Sequence, residues 1–255
     1  MDHVKAVPEA LGRFFEGHPK LALAFSGGVD SAYLLYAARA CGCDVRAFYA
    51  RSAFQPEFEF QDARRLAKEL DANMTVVPLD VLASKDVRAN PANRCFHCKR
   101  LIFTALIDAA RAAGYDAIMD GTNASDDAGD RPGMRALAEL EVLSPLRACG
   151  VTKAQVRAHS REAGLFTWDK PAYACLATRV PTGTALDGEI LQRVERAEGA
   201  LFDMGFSDFR VRVFHGAARL QLPAAQMAEA LKRREAIRGA LAPWFEIVLL
   251  DLKDR

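Results

Sequence analysis

Two groups of residues in this chain have the types and spacing for chemistry. The first is Ser26-Gly27-Gly28-Val29-Asp30-Ser31, which follows the apolar run LALAF (21–25) and leads straight into SAYLLYAARA. A strand that turns through two glycines into a helix lets main-chain N–H groups approach a ligand closely. The positive end of the helix dipole favours a phosphate there. Ser26 and Ser31 add hydroxyl donors. Asp30 would repel a phosphate, so its presence calls for Mg²⁺ carried by a nucleotide, or for a helix cap. Neither a GxxxxGK[ST] loop nor a GxGxxG fingerprint is present. The second group is cysteine: Cys95 and Cys98 form CxxC in NRCFHCKR, and Cys175 lies in KPAYACLATR. Spacing alone leaves three chemistries open. They are a zinc site short of its second ligand pair, a dithiol redox pair that leaves Cys175 unexplained, and three thiolates on a [4Fe–4S] cluster with one iron open. Cys41, Cys43 and Cys149 have no metal-ligand context and read as small structural residues.

The elements that must position these groups alternate. Apolar runs at 21–25, 45–50, 74–79, 117–120 and 140–146 read as strands, with helices after the first loop, around 56–70 and around 100–113. This rhythm predicts a parallel sheet with helices on both faces, whose ligands sit beyond the carboxyl ends of the strands. The pattern changes at the turn region VPTGT. A helix is expected over 187–204, then FRVRVF (209–214) and ARLQL (218–222) as a hairpin through His215 and Gly216, a helix over 224–240 and a last strand, WFEIVLL. The fold class is therefore α/β, with a parallel-sheet domain over 1–180 and a small α+β domain over 181–255. In FRVRVF, alternation puts Arg210, Arg212 and Phe214 on one face and the valines on the other. With the valines toward a core, the arginines are expected to face outward together, suited to phosphate.

The chain has 255 residues, 51% hydrophobic and 26% charged, with a net charge of +1. This is a soluble globular composition, without the bulk field that draws a protein to nucleic acid or lipid. No run is apolar and long enough to span a membrane. The amino terminus reads as an amphipathic helix, with Val7, Leu11 and Phe14 or Phe15 on one side, and not as a signal peptide. A cytoplasmic location is expected, where thiols stay reduced.

The string SGGVDS in this setting is similar to the PP-loop signature of the ATP pyrophosphatase superfamily, the adenine nucleotide alpha-hydrolase-like fold. There the loop holds the pyrophosphate of ATP, attack falls on the α-phosphorus, and AMP passes to an oxygen of the substrate. Ser26, Gly27, Gly28, Asp30 and Ser31 match position by position, and the resemblance places Ser52 near the adenine. Nearly end to end, the chain resembles the LarE family, ATP-dependent sulfur transferases that help make the nickel-pincer cofactor. The markers are SGGVDS, RCFHCK (94–99), DGTNASD (120–126), RPG (131–133), SPL (144–146), KPAYACLATRVPTG (170–183), VERAE (194–198) and FRVRVFHGAARLQL (209–222).

The resemblance implies a nicotinate-derived mononucleotide substrate with two carboxylates on a pyridinium ring. ATP and Mg²⁺ adenylate a carboxylate, and sulfur then replaces AMP. One branch of the family gives up the sulfur of a single cysteine, matching Cys175, and lacks the CxxC. Another holds a [4Fe–4S] cluster on three cysteines, and Cys95, Cys98 and Cys175 place this chain with it. The resemblance also implies Glu198 in the active site, Arg210 and Arg212 on the substrate phosphate, and Mg²⁺ on Asp30. Arg179 would reach AMP or pyrophosphate, and Asn123 and Asp126 would lie near the nucleotide. Partners would be sulfide or a sulfur donor and further copies of the chain, since family members are oligomeric, with a hexamer the assembly considered for this chain. The rivals are a tRNA-thiolating enzyme, which should carry a broad basic surface, a non-catalytic iron–sulfur or sulfide carrier, and an amidotransferase-type synthetase, for which no glutaminase segment is present.

Overall fold

The computed structural model describes residues 6–126 and 132–255. They divide into two compact units. The first comprises the residues up to Ser52, Glu57–Val81 and Asn93–Ala172, and the second Ala53–Pro56, Leu82–Ala92 and Tyr173–Arg255. The chain thus divides after Ala172, so Cys175 and Arg179 belong to the second unit, eight residues earlier than the expected boundary at 180 allows.

The first unit opens with α1 (Glu9–Gly17), which buries Leu11 and Phe15. The expected start of this helix at residues 1–5 lies outside the described residues. Next come β1 (Lys20–Ala24), α2 (Val29–Ala40), β2 (Asp44–Arg51), α3 (Glu57–Glu69) and β3 (Met74–Pro78). The helix α4 (Lys85–Arg88) belongs to the second unit; α5 (Arg94–Ala112), β4 (Ile118–Met119), α6 (Pro132–Glu139), α7 (Pro145–Ala148) and α8 (Lys153–Glu162) return to the first. The sheet is parallel in the order β3-β2-β1-β4. Alternate residues of one strand serve opposite faces. Leu21 and Leu23 of β1 join the core that contains Tyr33, Leu34 and Ala37 of α2. Ala22, between them, packs into a second core with Leu106 and Ala110 of α5. Helices therefore cover both faces, as the continuous apolar run LALAF requires. The chain runs outward from β1 through β2 to β3 and then returns to place β4 on the other side of β1. The carboxyl ends of β1 and β4 are thus a topological switch point, where such sheets bind ligands.

The second unit holds α9 (Gly188–Asp203), β5 (Arg210–Phe214), β6 (Ala217–Gln221), α10 (Ala224–Lys232), α11 (Arg234–Leu241) and β7 (Val248–Leu250). β5 and β6 form the expected antiparallel hairpin, and β7 runs parallel to β6. His215 and Gly216 both have positive φ, 49° and 82°, the requirement of a two-residue type I′ turn. Asn90 (φ 53°) is fully buried and pins the 181–184 turn by donating to the Pro181 and Thr184 carbonyls.

Three expectations need correction. The strand expected at 140–146 shrinks to one bridge between Leu143 and Met119, because Pro145 opens α7 and supplies no ladder N–H. The helix expected from 100 begins at Arg94, so the CxxC lies in its first turns. The helix expected over 224–240 breaks at Arg233 into two. Among the described residues no helix is long and apolar enough to cross a membrane.

Candidate active site

The glycine loop lies at the switch point. The Ser26 and Ser31 hydroxyl oxygens are 3.0 Å apart, the Gly28 amide donates to Ser26 Oγ at 3.3 Å, and Ser31 Oγ donates to the Gly28 carbonyl at 3.2 Å. Gly27 has φ +73°, and a Cβ there would lie 2.9 Å from the Ala63 Cβ. Only glycine fits both the conformation and the contact. The N-cap of α2 is Gly28, without a side-chain cap bond. The alternative expectation for Asp30, a helix cap, is therefore not what the loop shows. Its carboxylate instead accepts from Asn123 Nδ2 at 3.2 Å and from Lys153 Nζ at 2.5 Å.

Asn123 and Asp126 follow β4, across the switch point from the loop. Asn123 is buried, and its own amide donates to Asp126 Oδ2 at 3.0 Å. Both brace the ground on which Asp30 stands. Asp120 is closed off by Thr122 and by Ser144 Oγ at 2.7 Å. Ser52 directly follows β2, at the same edge of the sheet. One carboxylate beside a hydroxyl-lined phosphate loop is a donor set that fits Mg²⁺, which prefers one or two carboxylates together with substrate phosphates.

Cys95 is exposed and Cys98 half-buried, three residues apart at the start of α5. Arg94, itself buried, directs a guanidinium nitrogen to Cys95 Sγ at 3.9 Å. Cys175, half-buried, stands in the second unit just before a 3₁₀ turn over Leu176–Arg179. Among the described residues no three His, Cys, Asp or Glu side chains are gathered closely enough to hold a metal ion. The donors suit a cluster in type and spacing, while the geometry supplies no assembled ligand set. Arg131, of the RPG marker, lies outside the described residues. The other cysteines are structural: Cys43 Sγ donates to the His18 carbonyl at 3.3 Å, and burial pushes its thiol up to about 11. Burial likewise raises Cys41 and Cys149.

In the second unit the expected residues converge. Glu198 on α9 is buried and accepts from Arg179, from the Val211 amide at 2.9 Å and from the Tyr173 hydroxyl. The remaining Arg179 nitrogen donates to the Ala174 carbonyl at 2.7 Å and to Thr178 Oγ1 at 2.9 Å. Arg179 was expected to reach toward nucleotide; its guanidinium faces inward, and its donors are taken within the unit. Arg210 also departs from expectation. Strand alternation holds, but Arg210 is 5% exposed, with its guanidinium over the Tyr173 ring and donating to the Phe209 carbonyl. Burial, then repulsion from Arg179, lowers its pKa. The Tyr173 hydroxyl is raised, first by burial and then by the charge of Glu198. Arg212 behaves differently. It donates to the Thr178 carbonyl at 2.6 Å and lines a cavity of about 750 Å³ together with Phe214, His215 and Arg219. Arg219 stands directly across the hairpin from Arg212 and pairs loosely with Asp251 at 3.5 Å.

Sequence reasoning missed Tyr173, Lys153, Arg219 and Gly121. A Cβ on Gly121 would fall 2.9 Å from the Ser31 amide nitrogen, so the GTN segment presses on the start of α2. The signal for Arg219 was available, since ARLQL pairs it with Arg212 in the hairpin register. Lys153 gave none, being a lysine at a helix start far along the chain from Asp30.

A glycine-serine loop at the switch point of a parallel sheet, on a chain carrying a CxxC and a further half-buried cysteine, Cys175, defines a PP-loop enzyme of the thiolating kind. No family model matches the chain. It is 36% identical over 251 residues to an uncharacterized protein of Synechocystis sp., covering 96% of this chain and 93% of that one. It is 34% identical over 236 residues to the pyridinium-3,5-bisthiocarboxylic acid mononucleotide synthase of Lactiplantibacillus plantarum, covering 91% and 86%. It is 27% identical over 226 residues to the tRNA-specific 2-thiouridylase MnmA of Streptomyces avermitilis, covering 72% and 59%. The chain belongs to the LarE family of that synthase and is a sulfurtransferase.

Proposed function

We propose that this enzyme inserts sulfur into a pyridinium biscarboxylate mononucleotide at the expense of ATP. A substrate carboxylate oxygen attacks the α-phosphorus, the bond to the bridging oxygen breaks, and pyrophosphate leaves. The acyl adenylate has AMP as its leaving group, where the free carboxylate would have to expel oxide. A sulfur nucleophile attacks the carbonyl carbon, the C–O bond to AMP breaks, and a thiocarboxylate remains. The observation that carries this reading is the Ser26–Ser31 loop at the β1/β4 switch point, with two hydroxyls, glycine amides and Asp30 in one place. Mg²⁺ on Asp30 would screen charge at the α-phosphorus. Ser52, Asn123 and Asp126 line or brace the nucleotide side. Arg212, with Arg219 across the hairpin, supplies cations for the substrate phosphate, while Arg210 packs over the Tyr173 ring away from it. Glu198 and Arg179 act by holding the Cys175 segment.

For the sulfur, we place Cys95, Cys98 and Cys175 as ligands of a [4Fe–4S] cluster that carries sulfide, on the strength of their number and spacing. The competing reading is loss of sulfur from Cys175 itself. A cytoplasmic location and a homo-oligomer belong to the same reading, and the exposed Leu231, Ile247 and Leu252 of the second unit accord with the oligomer. A tRNA substrate is the weaker alternative: it accords with the thiouridylase relatives, but the net charge is only +1.

The test is anaerobic purification with iron and sulfide analysis, pyrophosphate release with the biscarboxylate mononucleotide, and the mass of the chain after turnover. About four irons per chain with unchanged mass is expected. A loss of about 34 Da at Cys175, the mass of H₂S, would give the sacrificial route instead. Iron-free protein of constant mass that releases no pyrophosphate would sink both.

A further inference from the structure

Asp30 is an anion in a loop suited to polyphosphate, and in the structure its partner is Lys153. The Nζ–Oδ2 distance is 2.5 Å, with the lysine and aspartate side chains 34% and 23% exposed. The pair is held from both ends within the first unit. Asp30 sits in the first turn of α2. Lys153 is the first residue of α8, whose start is fixed by a capping box between Thr152 and Gln155. The Lys153 amide donates to Ser125 Oγ at 3.0 Å, tying the base of the side chain to the segment after β4. The α2 and α8 helices are further joined by the stacked rings of Tyr33 and His159, 5.8 Å between centroids.

Both Asp30 oxygens are therefore taken, one by the Asn123 amide and one by the Lys153 ammonium. A Mg²⁺ ion arriving with nucleotide would need a carboxylate oxygen and would compete with the lysine ammonium for it. A lysine ammonium is a compact charge on a flexible stem. Its backbone is pinned at Ser125, so an ammonium released from Asp30 would remain within the reach of its own side chain from the loop that carries Asp30.

We propose that Lys153 is a phosphate-binding residue of the nucleotide site. It neutralises Asp30 before nucleotide arrives and passes to the β- or γ-phosphate oxygens of ATP when Mg²⁺ takes the carboxylate. This role presupposes the ATP-using reaction proposed above. A lysine that only braced α8 against α2 would be indifferent to the number of phosphates on the ligand; a lysine that moves to the β- or γ-phosphate discriminates ATP from AMP.

Equilibrium binding of MgATP and of AMP to the full chain by titration calorimetry tests this on Lys153→Gln, Lys153→Met and Lys153→Arg, with thermal melts to establish folding. Lys153→Gln keeps a donor to Asp30 without the charge, so it remains informative if Lys153→Met fails to fold. Both neutral variants should bind MgATP at least tenfold more weakly and AMP within twofold of wild type. Lys153→Arg should recover most of the MgATP affinity. Folded neutral variants that bind MgATP like wild type, or that lose MgATP and AMP affinity equally, overturn the proposal alone. A wild-type chain that binds neither ligand overturns the ATP-using reading together with it.

Discussion

Arg179 and Glu198 form a two-point ion pair inside the second unit, Nε to Oε1 at 2.8 Å and a terminal nitrogen to Oε2 at 3.1 Å, with side chains 0% and 2% exposed. Breaking a buried pair by removing one partner leaves the other charge uncompensated, at about 3–5 kcal/mol. Glu198→Ala should therefore lower stability by roughly that amount in urea denaturation, and Glu198→Gln by less, since it retains hydrogen bonds. The same guanidinium holds the Ala174 and Cys175 carbonyls. Alkylation of Cys175 should accordingly speed up in a Glu198→Ala chain that is still folded. An unchanged rate would show that the pair does not position this cysteine.

The glycines of the nucleotide loop should fail for different reasons. Gly121→Ala puts a methyl 2.9 Å from the Ser31 nitrogen, which is backbone and cannot swing aside. It should lower Tm by several degrees and weaken MgATP binding at least tenfold. Gly28 has φ −78° and ordinary space around it, Ser26 Oγ at 3.4 Å being the nearest neighbour. Gly28→Ala should keep Tm within about one degree while still weakening MgATP, because the added methyl occupies the face a phosphate approaches. If Gly28→Ala binds MgATP like wild type, the phosphate does not lie against this residue.

Where the sequence was legible, local pattern and tertiary role coincided. LALAF is apolar at every position because both faces of β1 are covered, and FRVRVFHGAARLQL carries its own turn, with His215 and Gly216 at positive φ. Illegibility had physical causes. LEVLSPL has strand composition, yet Leu143 alone bridges to Met119, since Ser144 is drawn to Asp120 and Pro145 starts α7. Arg210 and Arg212 look equivalent by period two, but period two does not report that Tyr173 lies beneath one of them. Lys153 meets Asp30 only through the packing of α8 on α2, a contact across 123 residues that no local pattern encodes.

The thiols should separate by reactivity. Cys95 is exposed, whereas burial holds the Cys43 thiol at about 11 against an ordinary 9.0. At pH 8 only about one Cys43 in a thousand would be thiolate. Iodoacetamide followed by peptide mass mapping should label Cys95 first and Cys43 last. The raised value has a consequence for stability as well. The unfolded thiol ionises near 9.0 while the folded one stays protonated to about 11, so its contribution is complete below pH 9 and is lost as pH rises between those values. Cys43→Ala should flatten that part of the stability profile.

Arg210 and Arg219 should trade places relative to a simple alternation argument. Arg210 is buried against the Tyr173 ring, 5.0 Å from its centroid, and a desolvated cation–π contact contributes about 2 kcal/mol. Its loss should therefore be felt in folding. Arg219 is 35% exposed, lines the cavity beside Arg212, pairs loosely with Asp251 at 3.5 Å and lies over the Phe214 ring, 5.3 Å from its centroid. Its loss should change stability by about 0.5 kcal/mol or less and be felt in binding. Arg212→Ala and Arg219→Ala should each weaken binding of the mononucleotide substrate about tenfold and leave its dephosphorylated nucleoside unaffected. That loss should shrink as salt rises and screens the exposed charge. Urea melts and calorimetric titration of both ligands separate the two outcomes. Arg219→Ala that binds the mononucleotide like wild type would return the phosphate to Arg212 alone.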